Sequence, residues 1–381
     1  MLAVAGQSAP VFGREAETII VTGVRLEEAL ADLETCLAAG CPPLEDMQKT
    51  LRAAEIMVVD GDYRSASGLL EKSIGRNNRH AAKHGEAVAG LYRAHARVNQ
   101  HMGEGDVYRR STHQMLSSLR AAFPGTDTRV LGGRLEVAGM LVRLGDLDLG
   151  LRAYRSLKQD AEKAGQTKLA AIADLRIAWA YLVWGKTYRA RPQLESLAAH
   201  QDPDVRLAAK VMLMRLDRMS GRNASMDTLL AAVREQASSA TGPQVLHWSP
   251  PMDLSVRPRG TNTGLNVSGI SADLVAAVAV ENKWIDVGFW VTPDGRVSEA
   301  EVLRMSDSGG AWHDIVLRSV EGRVYSPVQA AAGSPGRYHV ERFTLTSLWE
   351  ERTGSRLRSR SSSLRIESLD LTVDEDAQAG T

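Results

Sequence analysis

The residues with the clearest chemical potential stand in short groups. Gly185-Lys186-Thr187 ends like a phosphate-binding loop, in which backbone N–H groups cradle a phosphate and the lysine neutralises it. The upstream glycine that such a loop needs is Ala180, inside an apolar helical pattern, so the group reads as a hairpin turn. His80 and His84 are spaced one helical turn apart, as two zinc ligands on a helix would be, but Lys83 lies between them and no third ligand is evident. Asp146-x-Asp148-x-Gly150 opens like a calcium loop and lacks its remaining ligands. There is no Gly-x-Ser-x-Gly elbow to expose a nucleophilic serine. The expectation is a non-enzymatic chain with no catalytic residues, no metal and no cofactor.

The only cysteines, Cys36 and Cys41, flank Leu-Ala-Ala-Gly. Gly40 and Pro42-Pro43 break a helix there, so the second thiol can fold back to the first. A short-loop disulfide is expected if the chain is exported, because thiols stay reduced in the cytosol. Met1 to Pro10 resembles the end of a signal peptide, with Ala3-x-Ala5 before Gly6 as the cleavage signal. The expected location is therefore periplasmic, with the start of the signal lying upstream of Met1.

The chain has 381 residues, 46 of them Lys or Arg and 46 Asp or Glu. Balanced charge argues against a nucleic-acid partner. No run approaches the roughly 18 apolar residues that a membrane-spanning helix needs.

The elements that would carry these residues fall into five segments. Residues 1–25 read as signal remnant and N-terminal segment. From 26 to 236 apolar residues recur at helical spacing, and Gly61, Gly105, Gly145, Gly185 and Gly221 recur about every forty residues, the period of stacked helical hairpins. A glycine at the turn, an aromatic after it and small Ala66 and Ala190 beyond resemble the tetratricopeptide (TPR-like) pattern. Residues 237–269 are a Pro/Gly-rich linker, ordered in part through Trp248. Residues 351–381 form a solvated tail, basic at Arg352, Arg356, Arg358 and Arg360 and acidic at Asp374-Glu375-Asp376.

Between them, residues 270–350 alternate like a small α+β module. Trp284 to Thr292 and Val297 to Met305 flank the turn Pro293-Asp294-Gly295, a hairpin. Trp312, Ile315, Val316 and Val320 share one helical face, Gly322 ends that helix, and Tyr338 to Trp349 is a last alternating run.

Here a family resemblance enters. Val287-Gly288-Phe289-Trp290-Val291, Asp294-Gly295-Arg296-Val297, Ser306, the helix, Tyr325-x-Pro327, Gly333-x-Pro335 and Val340-x-x-Phe343 stand in the order found in the C-terminal domain of TonB energy transducers. The chain departs from that pattern at Arg323, where the family has tryptophan, and before the first strand. The resemblance implies a strand-accepting edge at Tyr338, Val340, Arg342, Thr344 and Thr346, and an outer-membrane TonB-dependent receptor or other envelope protein as partner. An exposed strand edge offers unpaired backbone groups to such a peptide. The alternative is an edge capped by the chain's own Leu364 to Leu371. Glu17-Thr18-Ile19-Ile20-Val21-Thr22-Gly23 is similar to the box that such receptors present, which assigns Glu17, Ile19, Val21, Thr22 and Gly23 to docking. The function expected is protein interaction in TonB-linked transport. The alternative is an envelope scaffold built on the repeats.

Overall fold

The computed structural model describes residues 25–221, 231, 244–252, 254, 283–306, 312–328, 335–351, 358–361 and 363–372. The helical pattern becomes α1 (Leu26–Ala38), α2 (Pro43–Val59), α3 (Tyr63–Asn77), α4 (Ala81–His101), α5 (Gly105–Ala122), α6 (Thr128–Arg143), α7 (Leu147–Lys163), α8 (Thr167–Val183), α9 (Thr187–Leu197) and α10 (Pro203–Met219). Local chemistry sets their starts. Asp62 caps α3 by accepting from the Ser65 N–H at 3.0 Å, Asp127 caps α6 through the Arg129 N–H, and Asp202 caps α10 through Val205. Consecutive helices pack on one another, which makes a stacked array of helical hairpins.

Turn glycines end several helices in the left-handed conformation, among them Gly61 at φ 83° and Gly145 at φ 98°. The sequence reading places one turn at Gly105. The left-handed residue there is Gly103 (φ 73°), and Gly105 opens α5. Two glycines so close together satisfy the spacing equally well, and only the helix end chooses between them.

The C-terminal module contains β2 (Lys283–Val291), β3 (Val297–Met305), α11 (Trp312–Glu321), β4 (Val324–Tyr325) and β5 (Arg337–Thr346), in the expected order of strand, strand, helix, short strand, strand. Phe289, Phe343, Val316 and Val320 meet in its core. The Pro/Gly-rich segment contributes β1 (Leu246–Trp248), which pairs with β4, and Trp248 lies buried with the guanidinium of Arg215 5.0 Å from its ring.

The tail departs from expectation. Its described part is built into the fold, with β6 (Trp349–Glu351) and β7 (Arg358–Arg360) forming a small ribbon and β8 (Arg365–Asp370) completing the main sheet. That sheet is antiparallel with the order β3-β2-β5-β8. Arginines and serines hide an alternation in which Ile366 faces the core of the sheet while Leu369 and Leu371 face the helices.

Array and sheet share a core. Leu369, Leu371, Trp284 and Val340 pack in one cluster with Met57, Tyr63 and Leu70 of α2 and α3. Burying each such leucine contributes about 1.5–3 kcal/mol, so the two parts stabilise each other.

Candidate functional site

The sheet lies across the turns that end α2, α4 and α6, and most of the chemically capable residues collect at this seam. Strand alternation is the cause. In β5, Phe343 and Leu345 point into the sheet's own core, so Arg342, Thr344 and Thr346 point to the helices.

Arg342 is the centre of the seam, with 0% of its surface exposed. Its Nε and Nη2 donate to the Asp286 carboxylate at 2.6 and 2.9 Å. It also donates to the carbonyls of Val58 and, at 2.7 Å, Val59. These are among the last carbonyls of α2, which have no partner inside the helix and sit at the negative end of its dipole. The guanidinium stacks 3.8 Å from the Trp284 ring. Burial, the largest single effect, would lower the pKa of Arg342, but the bonds and charge of Asp286 together with Tyr63 hold it above its ordinary value. Arg304 donates to Asp286 at 2.9 Å and to Val59 O at 3.2 Å, so the same carboxylate and helix end are gripped twice.

Beside this group, the Thr344 hydroxyl lies 3.0 Å from Tyr63 Oη and 2.9 Å from His101 Nδ1. The rings of Tyr63 and His101 stack at 5.5 Å. Burial pushes the Tyr63 hydroxyl above its usual pKa, so it stays protonated. Farther along, Glu367 of β8 accepts from Gln100 Nε2 at 2.5 Å and Arg143 Nη1 at 3.0 Å, and its charge raises the pKa of Arg143. Arg365 donates to the Arg143 carbonyl at 3.0 Å. Arg360 donates to Met102 O at 2.8 Å, and Arg358 pairs with Glu104 at 2.6 Å. The described half of the arginine-rich stretch is therefore an anchor.

A second buried network lies in the sheet's core. Arg323 pairs with Glu341 at 2.8 Å, donates to Tyr325 Oη at 3.1 Å and sits 5.5 Å from each of the Phe289 and Phe343 rings. Where the resemblance has an indole, a paired guanidinium fills the space between two aromatic rings.

From Val340 through Arg342 and Thr344 to Thr346 the run is an inner strand in this structure. β8 pairs with it from Glu341↔Asp370 to Thr346↔Arg365, and the Val340 carbonyl accepts from Leu371 N–H at 2.8 Å. Capping by the chain's own tail, the alternative reading of the sequence, is what the structure contains. The reason is that Leu369 and Leu371 bury apolar surface at the seam while β8 completes the ladder. Tyr338 alone of the five keeps a substantial exposed surface, next to Trp290 at 5.1 Å.

Cys36 and Cys41 are joined by a disulfide, with Cα atoms 5.1 Å apart. Glu17, Ile19, Val21, Thr22 and Gly23 lie outside the described residues. His80 falls in a 3-10 turn, and α4 is interrupted at His84 (φ −127°, ψ 42°), so the two do not share one regular helical face. Asp146 pairs with Arg109 at 2.7 Å.

Sequence reasoning did not find Asp286, Arg304, Tyr63, His101, Glu367 or Arg143 as seam residues. The available signal was Asp286, a charge inside an otherwise apolar strand, which needs a buried partner.

No protein-family model and no curated protein matches the chain. Among solved structures it is similar to the TPR-like repeats of a putative kinesin light chain from Podosopora anserina, at 18% identity over 53% of this chain and 99% of that one, TM-score 0.40. It is similar to BtubC (BKLC) from P. vanneervenii at 16% identity over 57% and 92%, TM-score 0.41. It is also similar to the Rap conjugation gene regulator of plasmid pLS20, solved with the Phr* peptide, at 16% identity over 60% of each chain, TM-score 0.40. Likenesses this distant assign neither activity nor partner.

Proposed function

We propose that this chain is a non-enzymatic protein-interaction scaffold of the cell envelope, in which the sheet is clamped to one part of a helical-repeat array and another part is left to a partner. The observation that carries the reading is the division of the array's surface. The turns ending α2, α4 and α6 are occupied by Arg342, Thr344 and Glu367, whereas Trp184 and Tyr188, at the turn between α8 and α9, are 40% and 70% exposed. Large aromatic side chains left in water favour contact with another protein. The Cys36–Cys41 disulfide supports an oxidising compartment such as the periplasm.

Photo-crosslinking from position 188 in cells, with position 52 on α2 as the control, tests this. One discrete crosslinked protein from position 188, lost in Trp184→Ala, is the expected result. Identical crosslinking from both positions refutes it.

A second reading follows from the TonB-like order of β2, β3, α11, β4 and β5. In it β5 accepts an extended receptor peptide, which must first displace β8. A receptor-box peptide that binds the chain and accelerates hydrogen exchange in β8 supports this reading. Binding with β8 undisturbed excludes it.

A further inference from the structure

The face of the array that meets β8 continues beyond it. Counted back from the left-handed glycine that follows each helix, Arg143 stands two residues before Gly145, Arg176 nine before Gly185 and Arg215 six before Gly221. Offsets of two, six and nine share one helical face. α6 lies against α8 and α8 against α10, so guanidiniums from three successive hairpins look to the same side.

Their electrostatic states differ. Arg143 has a carboxylate: Glu367 of β8 accepts from its Nη1 at 3.0 Å, and that charge is the main reason its pKa lies above the ordinary value. Arg176 and Arg215 are half-buried, and no acceptor among the described residues reaches the buried Nε of either one. Burial lowers the pKa of Arg176, with the Tyr154 hydroxyl opposing the shift and the charge of Arg143 adding to it. Burial pushes Arg215 down to about 10. Trp248 offers Arg215 a ring face at 5.0 Å, which meets its charge in part. Arg176 is left as half of an ion pair.

A cation removed from water without an acceptor destabilises a chain, and groups perturbed in this way concentrate at binding sites. The fitting acceptor is visible one hairpin away, where a side-chain carboxylate on an extended strand reaches Arg143. Trp184, which ends α8, is 40% exposed. Charge and apolar surface thus lie along one element, as a peptide uses and a lone anion does not.

We propose that Arg176, with Arg215 beside it, accepts carboxylate side chains from an acidic peptide segment of a partner, as Arg143 accepts Glu367. The proposal rests on the reading that the later part of the array is left to a protein partner, and it gives that partner its charge.

Anisotropy of a fluorescent oligoglutamate peptide with blocked termini, titrated with the full chain at low salt, tests it against an oligoglutamine reference. Saturable binding of oligoglutamate alone is expected. It should weaken at least about tenfold in Arg176→Met, since a bond to a charged group is lost, and less in Arg176→Lys. Lys163→Gln, at an exposed cation of α7, should leave it unchanged. The urea midpoint of unliganded Arg176→Met should equal or exceed that of the native chain, because the variant removes an unpaired buried charge. If Arg176→Met does not fold, Arg176→Gln is read in its place. Absence of saturable binding overturns the proposal, as does equal binding by the Arg176 variant. Displacement of the peptide by an equal concentration of inorganic phosphate also overturns it, since the site then takes free anions. Crosslinking from position 188 without oligoglutamate binding leaves the partner reading standing and removes this one. Oligoglutamate binding that depends on Arg176, without a crosslink from position 188, does the reverse.

Discussion

Asp286 and Arg342 carry opposite charges where water does not reach and pair with each other, with Arg304 also on the Asp286 carboxylate and the end of α2 also on Arg342. Removing one charge from such a pair costs about 3–5 kcal/mol, more than the pair itself contributes. Asp286→Asn should therefore lower the free energy of unfolding by that amount in a urea titration, and Asp286→Leu with Arg342→Met should restore most of it. A double variant as unstable as the single one would show that the carbonyl contacts to α2 outweigh the charge pair. His247 tests a different property. Burial lowers its pKa to about 4 against 6.5 for the free side chain. The unfolded chain then binds the extra proton first, so stability is full above pH 6.5 and falls as pH drops towards 4, by no more than about 3 kcal/mol. Urea midpoints between pH 7.5 and 4 should decline less in His247→Gln than in the native chain. A charged residue in an apolar strand tells that a partner exists. The identity of Val58 O as a partner of Arg342 depends on where a distant helix ends, and that is not written near either residue.

Gly61 shows how an element's end becomes a contact surface. Its φ of 83° suits glycine, and a Cβ there would lie 2.5 Å from Trp284 Nε1. Gly61→Ala should destabilise the protein by about 1–3 kcal/mol, from backbone strain and a displaced indole together. Loss of Trp284 fluorescence shift with little change in stability would mean that the indole moves freely. The recurrence of Gly61, Gly145 and Gly185 made the hairpin array legible, and the alternation of β2, β3 and β5 made the module legible, because both periods follow from local backbone geometry. β8 was less legible. Its polar residues serve a surface made by α4 and α6, so Glu367 and Arg365 look solvated until those helices are in place.

At the scale of the molecule, one apolar cluster joins helices and sheet, so the chain should unfold as a unit. Calorimetry should give one transition for both parts, and Leu369→Ala should shift all of it. Two separated transitions would show that the seam contributes little. Reducing the Cys36–Cys41 bridge, which closes a loop with a sequence separation of 5, should cost about 2 kcal/mol and lower Tm without changing that cooperativity. The row of turns beneath the sheet also constrains how such a protein can evolve. Val59, His101 and Arg143 meet Arg342, Thr344 and Glu367 in strict succession. Duplicating or losing a hairpin between α2 and α7 would put every later contact one repeat out of step, whereas hairpins added after α7 would leave that succession intact. The front of the array is fixed in length by its own sheet, whereas a change of repeat number behind it would have to remake the contact of α10 with Trp248.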